Sequence, residues 1–119
     1  MSATEPLLDA DVLRELRDML GPALDPVLQS FGGQVREVFG LMERAHAAGD
    51  ASTLRTLAHK LKGSAGSVGA SALGTRVARI EKLAAAGDLA AAGFQMETLP
   101  ALISKTAHAL NQLPNQRGA

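Results

Sequence analysis

The chain has no cysteine, no tryptophan and no tyrosine, and only three phenylalanines in 119 residues. Without thiols, disulfides, zinc–thiolate sites and cysteine nucleophiles are excluded. Without Trp or Tyr there is no aromatic platform on which bases could stack. Neither charge sign dominates. Twelve Lys and Arg balance twelve Asp and Glu, so no strongly basic face for nucleic acid is expected. No apolar run is long enough to span a bilayer. The opening MSATEPLLDADVL lacks the basic start and apolar stretch of a signal peptide. These absences lead us to expect a soluble, cytoplasmic chain with no nucleic-acid and no membrane partner.

What is present favours helix. Hydrophobic residues make up 46% of the chain, with Ala and Leu dominant and β-branched residues thinly spread. The length suits one domain rather than two. There is no internal repeat, and no segment alternates as a strand would. Five segments carry helical spacing of apolar residues. A short first one, capped by Asp9, ends at Gly21-Pro22. A long second one starts near Asp25-Pro26 and ends at Gly49-Asp50, with Gly32, Gly33 and Gly40 weakening it locally. The third carries Leu54, Leu57, Ala58, Leu61, Ala65 and Val68. The fourth, from about Ser71, carries Leu73, Val77, Ile80, Leu83 and Ala84 and stops at Gly87. Asp88 caps the fifth, whose apolar phase continues past Pro100, predicting one bent helix. Short connections favour antiparallel neighbours. The expected fold is therefore all-α: an antiparallel four-helix bundle over residues 8–112 with a short additional N-terminal helix, and loose termini at 1–7 and 113–119.

Residues 58–70, AHKLKGSAGSVGA, stand out within the third helix. Three glycines in seven residues each cost a helix interior about 0.5–1 kcal/mol relative to alanine. At 100° per residue, His59 points roughly 150° away from the apolar stripe, so it is not a core histidine. Gly63 and Gly66 fall on its side. Lys62 and Gly63 are its i+3 and i+4 neighbours, Lys60 points to the flank, and Arg55 lies one turn earlier. Cations beside an imidazole disfavour its protonation and keep a lone pair available. They would also stabilise an anion, such as a phosphoryl group, placed on the ring. The glycines would let another macromolecule approach it. His46, at the end of the second helix and near its dipole, and His108, away from the apolar stripe of the fifth, carry no such pattern.

This motif resembles the signature of the histidine-containing phosphotransfer (HPt) domain family at Ala58, His59, Leu61, Lys62, Gly63, Ser64, Gly69 and Ala70. The segments FGGQVREVFGLMERAHAAGD before it and ALGTRVARIEKLAAAGD after it are similar to the family's neighbouring helices. The resemblance covers about residues 8–112. It implies a helical bundle that carries phosphoryl groups in phosphorelays, with His59 as the phosphorylated residue. It implies that Lys62 steadies the phosphoryl group, that Gly63 leaves room for the partner's loops, and that Lys60 fills a position that is often basic. Glu81 matches a residue that in some members hydrogen-bonds the imidazole and decides which nitrogen is free; as a glutamate it would also raise the ring's basicity. Arg55, Thr56, Ser64, Ser67 and Gly66 surround His59 and are the expected docking residues.

The partners the resemblance implies are response-regulator receiver domains and a hybrid sensor histidine kinase. The receiver supplies Mg²⁺, so this chain needs no cofactor and no metal of its own. No P-loop is present, so the expectation is a free-standing, monomeric phosphocarrier without autokinase activity, not an enzyme. An alternative is a binding module that keeps the fold and sequesters a receiver or kinase without phosphotransfer; a pure scaffold has no need of the imidazole. A bundle metalloprotein would need several inward His or carboxylate ligands, and Glu43-x-x-His46 is a single copy of that spacing.

Overall fold

The computed structural model describes residues 6–113, and these are helical almost throughout. Six α-helices follow in order: α1 (Ala10–Leu20), α2 (Leu24–Ala47), α3 (Ala51–Ser67), α4 (Ser71–Ala85), α5 (Leu89–Glu97) and α6 (Leu99–Gln112), with one 3₁₀ turn at Gly21–Ala23 between α1 and α2. No strand occurs among the described residues. The terminal residues 1–5 and 114–119, most of the segments expected to be loose, lie outside the described residues.

The helices begin where the sequence offers an acceptor for their unpaired N–H groups. Asp9 accepts from the amides of Asp11 and Val12 at 3.0 and 3.2 Å. Asp50 accepts from Thr53 N at 3.0 Å, and Asp88 from Ala91 N at 3.0 Å. Such caps are worth about 1 kcal/mol each. The connections at Gly49, Gly69 and Gly87 each place a glycine at φ between 71° and 76°, a conformation that side chains rarely adopt. α2 runs unbroken through Gly32, Gly33 and Gly40.

Four helical layers enclose one core. α2 contributes Leu28, Phe31, Val35, Phe39 and Met42, and α3 contributes Leu54, Ala58, Leu61 and Ala65. α4 adds Leu73, Val77 and Ile80, and α6 adds Leu99, Ile103 and Leu110. α3 packs chiefly against α4 and α2, and α6 packs against α2. α1 lies across one end. Its entrance is tied to the α3–α4 turn by Asp9 N donating to Gly69 O at 2.7 Å. Its exit is tied to α2 by Arg17, which donates to Gly21 O and Asp25 Oδ1, both at 2.8 Å.

One expectation changes and one gains a contact. The last segment is two helices and not one bent helix: it parts at Thr98 (φ −96°, ψ 1°), and Pro100 sits in the first turn of α6. Proline has no N–H to return to Met96, whereas in a new first turn that donor would be unpaired anyway. Arg76 on α4 donates to Thr98 Oγ1 and holds the break. His46 lies in the last turn of α2, as expected, and also makes a tertiary bond: its Nε2 donates to Leu89 O at 2.8 Å. Gly93 leaves the space for that ring, since a Cβ there would stand 2.5 Å from His46 Nε2.

Adjacent glycines of α2 should respond oppositely to alanine. A Cβ at Gly32 would meet Ala107 Cβ at 2.8 Å, while one at Gly33 meets nothing within 4 Å. Gly33→Ala should stabilise by about 0.5–1 kcal/mol. Gly32→Ala gains the same propensity but must overpack the α2–α6 contact, at about 1–3 kcal/mol. Thermal melts should therefore shift up for the first and down for the second; two upward shifts would show slack between α2 and α6.

Candidate functional site

α3 and α4 form an antiparallel pair about Gly69-Ala70. His59 and Glu81 are 22 residues apart in sequence and equally far from Ala70. Helices rising alike on both sides of a turn bring such residues level. Small side chains keep the seam narrow: a Cβ on Gly74 would stand 3.7 Å from Ala65 Cβ. The Glu81 carboxylate can consequently reach across to α3.

It reaches two groups there. Glu81 Oε2 lies 2.8 Å from His59 Nδ1, and Glu81 Oε1 lies 2.7 Å from Lys62 Nζ. A carboxylate can only accept, so Nδ1 carries a proton and donates it. The other ring nitrogen, Nε2, makes no hydrogen bond among the described residues. The His59 side chain is 68% exposed, Lys62 41% and Glu81 17%. The imidazole thus stands in solvent while its anchor is largely covered. The Glu81 carboxyl is held below its ordinary value of 4.5, first by the hydrogen bond from Lys62, then by that from His59; partial desolvation opposes them.

The surface around His59 is bare. A Cβ at Gly63 or Gly66 would meet nothing within 4 Å, so neither glycine is there for packing. Arg55 and Thr56 are exposed one turn earlier. The hydroxyls of Thr56, Ser64 and Ser67 turn back to carbonyls of their own helix, at Ser52 (3.1 Å), Lys60 (3.3 Å) and Gly63 (3.0 Å). Lys60 is not brought into the cluster. It lines the opposite flank of α3 with Gln34, Glu37 and Val38 of α2.

Sequence reasoning missed two features. The ion pair of Glu81 with Lys62 was one; the equal spacing of His59 and Glu81 from Ala70, with Lys62 one turn along α3 from His59, was the signal that could have found it. The other is the α4 wall. Thr75 and Ala78 line a groove with Lys62 and Gly66, and the same two residues continue into a depression with Arg79 and Lys82. His46 is committed to Leu89, and His108 is exposed on α6 away from this site. Among the described residues no three His, Cys, Asp or Glu side chains stand together as a metal site, and no helix is long and apolar enough to cross a membrane.

A helical bundle that presents an imidazole on an open surface, anchored from behind by a carboxylate, defines a class of module whose histidine is offered to another macromolecule. The family model for the Hpt domain matches residues 26–113. The fold is also similar to the crystal structure of histidine-containing phosphotransfer protein B (HptB) from Pseudomonas aeruginosa PAO1, with a TM-score of 0.88 and 28% sequence identity, covering 98% of this chain and 100% of that one. No curated protein sequence matches the chain. The chain belongs to the Hpt domain family. Its role is histidine phosphotransfer in a two-component phosphorelay, as a carrier.

Two outcomes follow from this geometry. A carboxyl whose pKa falls on folding adds stability above its unfolded value and loses it as pH falls through the folded one. Wild type should therefore melt higher than Glu81→Gln at neutral pH, and the gap should close as pH falls below 4.5. A gap that persists in acid would mean that the carboxylate's charge is not what joins α3 to α4. Gly63→Leu should melt at or above wild type, since leucine is the better helix former by several tenths of a kcal/mol. It should still weaken partner docking and phosphotransfer, because its side chain would fill the open space beside His59. A lower melt with normal transfer would mean that the glycine serves packing.

Proposed function

We propose that this chain takes a phosphoryl group from the aspartyl phosphate of one receiver domain onto His59 and passes it to the aspartate of another. The observation that carries this reading is the His59 ring itself, with Nδ1 held by Glu81 and Nε2 free in solvent. With Nδ1 protonated, the Nε2 lone pair is the nucleophile. It attacks phosphorus, the P–Nε2 bond forms, and the bond from phosphorus to the aspartate oxygen breaks, releasing a carboxylate. Positive charge developing on the ring spreads to Nδ1, where Glu81 meets it across the existing hydrogen bond. Transfer onward is the same step reversed with a second aspartate.

The remaining residues take supporting roles in this proposal. Lys62 supplies a cation for the phosphoryl oxygens. Gly63 and Gly66 give the receiver's loops clearance. Arg55, Thr56, Ser64 and Ser67 form the docking rim, with Lys60 at its α2 edge. The carboxylate of Glu81 is already paired twice, so in this reading Mg²⁺ belongs on the receiver and this chain brings no cofactor. The functional unit is residues 8–112. It works in the cytoplasm as a monomer between receiver domains and a hybrid sensor kinase, and it does not phosphorylate itself from ATP.

Incubation with a phosphorylated receiver tests the assignment. His59→Gln should lose all phosphoryl acceptance while circular dichroism stays that of wild type, because no core contact is removed. The label on wild type should be acid-labile and base-stable, as a phosphoramidate is. Label retained in His59→Gln would move the site elsewhere; tight receiver binding with no label on either protein would favour a sequestering module.

A further inference from the structure

The cation assigned to the phosphoryl group does not stand free in the resting protein. Lys62 Nζ is 2.7 Å from Glu81 Oε1, while Glu81 Oε2 is bonded to His59 Nδ1. Both carboxylate oxygens are engaged, one by each partner. The phosphoryl group would form on Nε2, at the edge of the ring that faces away from Glu81. Lys62 must therefore lengthen or leave its contact with the carboxylate to reach it. The lysine has the means, being partly exposed on a long flexible stem. Among the described residues no basic side chain besides Lys62 and His59 pairs with Glu81.

We propose that Glu81 is a counter-ion that holds Lys62 back from His59, and that phosphorylation moves Lys62 from the carboxylate to the phosphoryl group. This rests on the function proposed above. The exchange tunes how readily the group is passed on. The phosphorylated protein gains its lysine contact only by losing an ion pair, so the net gain is small and the phosphoryl group is not trapped. Glu81 is thereby a positioning residue acting through Lys62, separate from its own bond to the ring.

Potassium phosphoramidate tests this without any partner protein: its P–N bond to ammonia breaks, the P–Nε2 bond forms, and ammonium leaves. Forward rates, and return rates in ammonium chloride, followed by phosphorus NMR, give an equilibrium constant for wild type, Glu81→Gln, Lys62→Ala and the double variant. Glutamine keeps an oxygen that accepts from Nδ1 but loses the charge that holds Lys62. The loss caused by Lys62→Ala should then be about three- to tenfold greater in the Glu81→Gln background than in wild type. Equal losses in both backgrounds would overturn the counter-ion role. A smaller loss in the Glu81→Gln background would overturn it too, showing that Glu81 delivers Lys62 to the phosphoryl group. A purely structural role would shift the melts of the four proteins and leave the ratio unchanged. His59→Gln separates the two readings: label retained there removes the function itself, whereas label confined to His59 with equal losses removes this inference alone.

Discussion

A left-handed turn at Gly69 and a seam of small side chains let α3 and α4 lie close enough for a carboxylate on one to grip an imidazole on the other. Gly69 is fixed twice over. Its φ of 71° suits glycine, and any Cβ would press on Asp9 O at 3.1 Å and Val12 Cβ at 3.3 Å. The same residue's carbonyl receives the amide of Asp9. The turn therefore sets the register of α3 against α4 and seats α1 across the end of the pair. A slip of one residue at this turn would rotate Glu81 by about 100° away from His59.

Glycine does three different things in this protein. At Gly69 it permits a backbone conformation, and at Gly32 and Gly93 it makes room for a neighbour, Ala107 and His46 respectively. At Gly63 and Gly66 of α3, as at Gly33 and Gly40 of α2, a Cβ would meet nothing within 4 Å. Only the last kind is expensive without an internal return, because helix propensity is lost and no contact is gained. Where such glycines share a face with His59, as Gly63 and Gly66 do, there is a physical reason to look outward from α3 for what they serve.

Much of this was legible in the sequence, because amphipathic spacing and acidic caps act locally. The apolar stripes of α2, α3 and α4 and the caps at Asp9 and Asp88 need only neighbouring residues to be read. His59 was placed in solvent by rotation alone. What was not legible depended on contacts between helices. The break at Thr98 is held by Arg76 from α4, and the apolar phase, which runs on undisturbed, carries no trace of it. His46 looked like a helix-end residue because its partner, Leu89, is 43 residues away. Lys60 and Lys62 look equivalent on paper, two positions apart. They point to opposite flanks of α3: Lys62 pairs with Glu81, whereas Lys60 lines a depression with Gln34, Glu37 and Val38 of α2.

The interior of the bundle is almost wholly hydrocarbon. Thr106 is its one buried polar side chain among the described residues, and its hydroxyl is satisfied by Leu102 O of its own helix. A core of this kind holds no polar address that obliges one side chain to meet another. Volume and pattern suffice to fill it, and cores of that type accept extensive exchange among aliphatic residues. Divergence is therefore cheap inside and dear at the joints. The turn glycine, the caps and the few polar ties between helices are where a substitution would be felt most, while the interior is free to drift.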